Sequence, residues 1–137
     1  MAWQFRMYLI DTNIWLERLL DQAQAASVGQ FLAQTPTNTL FLTDFALHSL
    51  AVILLRLKKP EVWHTFLQDT MIHGRVGLLS LSPDELVPLH AVIEQYGLDF
   101  DDAYQYAVAE REALTLVSFD TDFDRTPRGR KSPTNLL

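Results

Sequence analysis

A chain of 137 residues with 48% apolar and 20% charged side chains can bury one full hydrophobic core and is too apolar to be disordered. It holds no cysteine, which excludes disulfides, thiolate nucleophiles and cysteine-ligated zinc. The net charge of −6 runs against the basic surface usual in nucleic-acid binders, unless part of the acidic charge serves to hold cations.

The amino terminus, Met1 to Arg6, has neither a long apolar run nor a small-residue cleavage site, so no signal peptide is expected. Met7 to Ile10 reads as a first strand. A helix follows from Thr12 or Asn13, with Ile14, Trp15, Leu16, Leu19 and Leu20 on its apolar face. Ala26 to Gln34 reads as a second short helix, closed by the turn signal Thr35-Pro36-Thr37-Asn38, and Leu40 to Leu42 as a short buried strand. Asp44 to Leu57 is apolar almost all the way round, which predicts a buried helix, and it is shorter than the roughly 20 residues a bilayer span needs. Pro60 starts a helix in which Val62, Trp63, Phe66, Leu67 and Met71 recur at helical spacing.

Gly74 to Gly77 marks a turn, and Val76 to Leu81 a strand. Ser82 to Glu85 has capping-box spacing, and Leu86, Leu89, Ile93 and Tyr96 form the inner stripe of the helix it opens, which Gly97 ends. Asp101 to Glu112 is the last long helix and leads into a strand from Leu114 to Phe119. Alternating strands and helices imply a parallel sheet with right-handed crossovers. The expected fold is a single α/β domain, residues 1–137: a three-layer α/β/α sandwich with four to five short parallel strands. Asn135-Leu136-Leu137 is the one candidate for a fifth.

The aspartates fall where such a fold gathers ligands. Asp11 closes the first strand, Asp101 and Asp102 open the last helix, and Asp120, Asp122 and Asp124 follow the last strand. Carboxylates at strand exits and on first helical turns meet at one edge of the sheet. Crowded there, they raise one another's pKa and call for a cation; an all-oxygen donor set suits Mg²⁺ or Mn²⁺. Each position also has a plainer reading: Asp11 and Asp99 are good helix caps. The run from Asp120 to Asp124 resembles half a calcium loop, but Arg125 stands where that loop needs glycine and Lys131 where it needs glutamate. Arg125, Arg128, Arg130 and Lys131 are either a solvated tail or a phosphate-contacting edge. His64, His73 and His90 show no zinc spacing, and Trp15 and Trp63 sit at core spacing.

Three segments together resemble the PIN domain, a metal-dependent ribonuclease fold that includes the VapC-type toxins. Tyr8-Leu9-Ile10-Asp11-Thr12-Asn13 is similar to its opening hydrophobic-Asp-[ST]-[NS]. Leu98-Asp99-Phe100-Asp101-Asp102-Ala103 is similar to its Asp-Ala at a helix head. Leu116-Val117-Ser118-Phe119-Asp120-Thr121-Asp122-Phe123 is similar to its strand followed by [ST]-x-D-x-[DN]-F. The order and spacing agree along nearly the whole chain. The resemblance implies Asp11, Asp102 and Asp120 as metal ligands, with Asp122 an auxiliary acid and Asp124 a weaker candidate. Thr12, Asn13, Arg125 and Arg128 would position substrate. The chain departs from the pattern in one place. The family's glutamate, early in the helix after strand two, falls on Ser49 in the best register and on His48 in another, while Asp44 can reach the site from the helix start. The pair His48 and Ser49 either satisfies itself in the core or faces the acidic pocket as substitute ligands.

Three functions follow. The first is an endoribonuclease on single-stranded or structured RNA, with a toxin's antitoxin as partner. The second is a weakened RNA-binding or scaffold module. The third is a hydrolase of small phosphate esters, disfavoured because Asn13 stands where its second acid belongs. A soluble cytoplasmic protein with no membrane partner is expected, and the apolar helix from Asp44 to Leu57, together with what the resemblance implies, makes a homodimer plausible.

Overall fold

The computed structural model describes residues 6–137; the segment before strand one lies outside the described residues as far as residue 5. Four strands, β1 (Tyr8–Ile10), β2 (Leu40–Thr43), β3 (Gly77–Leu79) and β4 (Thr115–Val117), form one parallel sheet in the order β3-β2-β1-β4. Helices α1 (Thr12–Leu19), α2 (Ala25–Gln34), α3 (Asp44–Arg56), α4 (Pro60–Phe66), α5 (Pro83–Leu86), α6 (Leu89–Tyr96) and α7 (Phe100–Glu112) connect them.

The period of two along each strand builds the three layers. Ile10, Leu40, Leu42 and Val117 point into a core with Ile14 and Trp15 of α1, Val28 and Phe31 of α2, Ala46 and Leu50 of α3, and Phe66 of α4. Their strand neighbours Leu9 and Leu116 point the other way, into a core with Leu89 of α6 and Ala103, Tyr106, Val108 and Ala109 of α7. Trp15 is buried edge-on against Phe66, the packing role its spacing indicated. The start of β3 is glycine for a local reason: the Phe41 ring of β2 fills the place where a Cβ on Gly77 would go.

Four expectations are corrected. Asn135 to Leu137 is no fifth strand; Pro133–Leu136 is a 3₁₀ turn opened by a Ser132 capping box, since Pro133 supplies no ladder donor. The outer side of β4 is met instead by a single bridge to Lys131, through Lys131 N–H to Leu116 O at 2.8 Å and Ser118 N–H to Lys131 O at 3.0 Å. The helix expected after Ser82 is two, α5 and α6, broken at Pro88, which has no N–H to continue the ladder. The helix from Pro60 is α only to Phe66, and Leu67–Ile72 widens to a π-turn. Finally, α3 is not buried all round. Ala46, Leu50 and Leu54 are, but Val52, Leu55 and the following Leu57 are about half exposed, because the sheet covers only one side of the helix.

Among the described residues no helix is long and apolar enough to cross a membrane.

Candidate metal centre

Since β4 pairs with β1 in register, Ile10 against Val117, the two strands deliver their next residues, Asp11 and Ser118, side by side. Asp11 N–H donates to Val117 O at 3.0 Å. The buried Asp11 carboxylate is then gripped at both oxygens. Oδ1 accepts from Thr12 N–H at 2.7 Å and from Gln105 Nε2 at 2.7 Å, and Oδ2 accepts from Ser118 Oγ at 2.6 Å. Asp11 thus caps α1 and lies near enough for its charge to act on Asp102, although it joins neither group of converging carboxylates described below. Burial raises its pKa above the ordinary range, Asp120 pushes the same way, and the three hydrogen bonds oppose them.

Helix α7 brings the second carboxyl. Asp99 is its N-cap, so Asp102 sits in the first turn, 6% exposed. Burial first, then the charges of Asp101, Asp120 and Asp11, pushes its pKa up to about 8. Asp120 leaves β4 two residues after Ser118. Its N–H donates to Ser118 Oγ at 2.9 Å, and its side chain caps the 3₁₀ turn Thr121–Arg125 by accepting from Asp122 N–H at 2.9 Å. That turn carries Asp122 back over the site. Asp102, Asp120 and Asp122 each offer an oxygen within 4.8 Å of the others, and Asp99, Asp101 and Asp102 form a second such group on the rim.

Among the described residues the chain's cations neutralise this cluster only at its edge. Among the described residues, Arg125 pairs with Asp122 at 3.0 Å and Arg130 with Asp124 at 3.2 Å, while no ion pair reaches Asp11, Asp102 or Asp120. Hard oxygen donors, crowded and short of positive charge, fit a small divalent cation of the Mg²⁺ or Mn²⁺ kind.

The other sequence candidates fall in three places. Both ends of the Asn13 amide are committed to the exit of β4, Oδ1 accepting from Phe119 N–H at 3.2 Å and Nδ2 lying 3.4 Å from Ser118 Oγ; Thr12 beside it is half-buried. Arg128 turns to the opposite end of β4 and donates to Leu114 O at 3.0 Å, whereas Arg125 stays beside the acids. Asp44, at the head of α3, accepts from Tyr104 OH at 2.8 Å and joins neither acidic group. His48 is exposed, so the pair it makes with Ser49 is no core pair; with Phe45, Val52 and Ile53 the two line a groove of about 340 Å³ along α3.

Two residues of the site were missed as such. Ser118 lay inside a quoted motif, and its place at the strand exit was the signal. Gln105 had one signal, its position three after Asp102 on one helix face. It is 3% exposed, and its Oε1 finds no partner among the described residues. Leaving a buried acceptor unsatisfied costs about 1–3 kcal/mol, so the amide is a poor choice for packing alone.

The PIN domain family model matches residues 8–129. No curated protein matches the sequence. Among solved structures, FitAcB from Neisseria gonorrhoeae superposes with a TM-score of 0.75 at 22% identity, covering 93% of this chain and 99% of that one. The sarcin-ricin loop cleaving toxin VapC20 of Mycobacterium tuberculosis superposes with a TM-score of 0.71 at 16% identity, covering 85% and 92%. A toxin–antitoxin complex from Klebsiella pneumoniae gives 0.69 at 23% identity, covering 92% and 97%. At these identities the likeness is one of fold.

Proposed function

This chain belongs to the PIN domain family, and from that premise we propose that it is a divalent-metal-dependent endoribonuclease, the toxin of a toxin–antitoxin pair. The observation that carries the reading is the carboxylate cluster of Asp102, Asp120 and Asp122, with Asp11 gripped behind it and, among the described residues, one ion pair to it, from Arg125 to Asp122. Mg²⁺ or Mn²⁺ would be held by Asp102 and Asp120, with Asp11 and Asp122 flanking. When bound, the cation acidifies water for attack on phosphorus and offsets charge on the phosphate. The chain's own residues do the rest. Asp120 is oriented by Ser118 and Asp122, Asn13 fastens the exit of β4, and Arg125 stands at the rim where a neighbouring phosphate would lie.

The partner reading follows from the same premise. Similar folds occur in complexes whose names pair a toxin with an antitoxin, so an antitoxin is the partner we assign, in a small gene beside this one. The exposed apolar side of α3 suits a homodimer contact.

The departure at the family's glutamate favours one second reading. Asp44 is occupied by Tyr104, and His48 and Ser49 line the α3 groove, so a weakened RNA-binding module is the alternative. Cleavage of single-stranded RNA in Mn²⁺ and Mg²⁺, run on the wild type and on Asp120→Asn, separates the two. Metal-dependent cleavage that drops at least about 100-fold in the variant supports the nuclease. A wild type that retains RNA but cuts none of it, with millimolar metal binding, overturns it.

A further inference from the structure

A carboxylate has about four acceptor directions, two on each oxygen. At Asp11 three are taken: Thr12 N–H and Gln105 Nε2 fill Oδ1, and Ser118 Oγ takes one direction of Oδ2. One direction remains, and it is on Oδ2. We propose that Gln105 is a positioning residue that closes Oδ1 of Asp11, so that the carboxylate meets a divalent cation through Oδ2 alone. The inference rests on the metal reading above.

The chemistry of the contact supports the assignment. A carboxylate only accepts, so the Gln105 amide must face it with nitrogen, at the cost of a buried Oε1 without a partner. The same helix then supplies both a carboxyl for the site, Asp102, and the clamp on the carboxylate opposite, from one face of α7. The clamp also bears on which ion is preferred. Small cations demand near-ideal octahedral geometry and take single carboxylate oxygens, while Ca²⁺ accepts both oxygens of one group at longer range. With Oδ1 closed, Asp11 favours the small ion. Without the amide, Thr12 N–H still holds Oδ1 and Ser118 Oγ still holds Oδ2, but Oδ1 has one direction open, so both oxygens can face a larger cation.

The test measures Mn²⁺ and Ca²⁺ affinity by calorimetry on the full chain, for the wild type, Gln105→Leu and Gln105→Met. The two variants keep the volume and remove the donor; the second has an unbranched chain and serves if the first fails to fold. Loss of a group that orients a ligand weakens binding by about 10–100-fold. We expect Mn²⁺ binding to weaken at least about 10-fold and Ca²⁺ binding to hold or tighten, with the metal-free melting temperature unchanged or raised. Equal losses for both ions, or no change in either, overturn the role of Gln105 and leave the metal reading standing. A wild type that binds no Mn²⁺ up to the millimolar range overturns both.

Discussion

Replacing Asp102 by asparagine should make the metal-free protein more stable, and the gain should grow with pH. The carboxyl sits at about 8 in the folded chain against an ordinary 3.8. A group raised on folding contributes stability in full below its unfolded value and loses it as pH rises through the folded one. Each unit in that window weighs about 1.4 kcal/mol, so at pH 7 the part of the window already crossed opposes folding by about 4 kcal/mol. Asp120 and Asp122 are only half-buried, and water near them weakens the effect; about 2 kcal/mol is the expected gain. At about 2.1 cal/mol/K per residue that is about 7 °C in melting temperature, falling to about 3 °C near pH 5. The assay is thermal unfolding of both proteins in a chelator at several pH values between about 5 and 9. Saturating Mg²⁺ at about 100 times its Kd should then lift the wild type by about 2.7 kcal/mol and close the gap. A variant no more stable than the wild type at pH 8, or a gap that ignores pH, refutes the reasoning.

Other outcomes follow from the scaffold. Ala113 holds a left-handed conformation at the end of α7, with φ 55° and ψ 43°, so Ala113→Gly should stabilise by about 1 kcal/mol in denaturant unfolding. Leu50, fully buried under the sheet, should cost about 2–5 kcal/mol when cut to alanine, by the same measurement. Arg111, through bonds of 2.8 and 2.9 Å, and then Ser82 hold the Glu85 carboxyl at about 2; in Arg111→Ala its pKa should rise, followed by NMR, yet stay below the ordinary 4.5 because Ser82 N–H still donates to it. Stability from a lowered carboxyl is present above its unfolded value and lost as pH falls through the folded one. The deficit of that variant should therefore be full near neutral pH and vanish near pH 2.

The layers were legible because Leu9 and Ile10, or Leu116 and Val117, are consecutive apolar residues, the unbroken run that a sheet covered on both faces needs. The acidic edge was legible because Asp11 follows β1 directly and Asp120 lies just past β4, and the family resemblance rested on those positions. What stayed hidden depends on long-range placement. The apolar content of α3 says nothing about which side the sheet covers, so exposed Val52 and Leu55 read the same as buried Leu54. Gln105 reads as an ordinary helical residue until Asp11, 94 positions away, arrives beside it. The tail read as a strand from its leucines, while Pro133 and the Ser132 cap outweighed them locally.

The strand order has a consequence in time. The first strand must wait for the last: Asp11 meets its partner Ser118 across 107 positions of chain, and nothing made earlier substitutes for that contact. During synthesis the amino-terminal part emerges with Asp11 but without Asp102, Asp120 and Asp122, and pairing so distant in sequence is slow to form. A growing polypeptide therefore carries no assembled centre until β4 has docked.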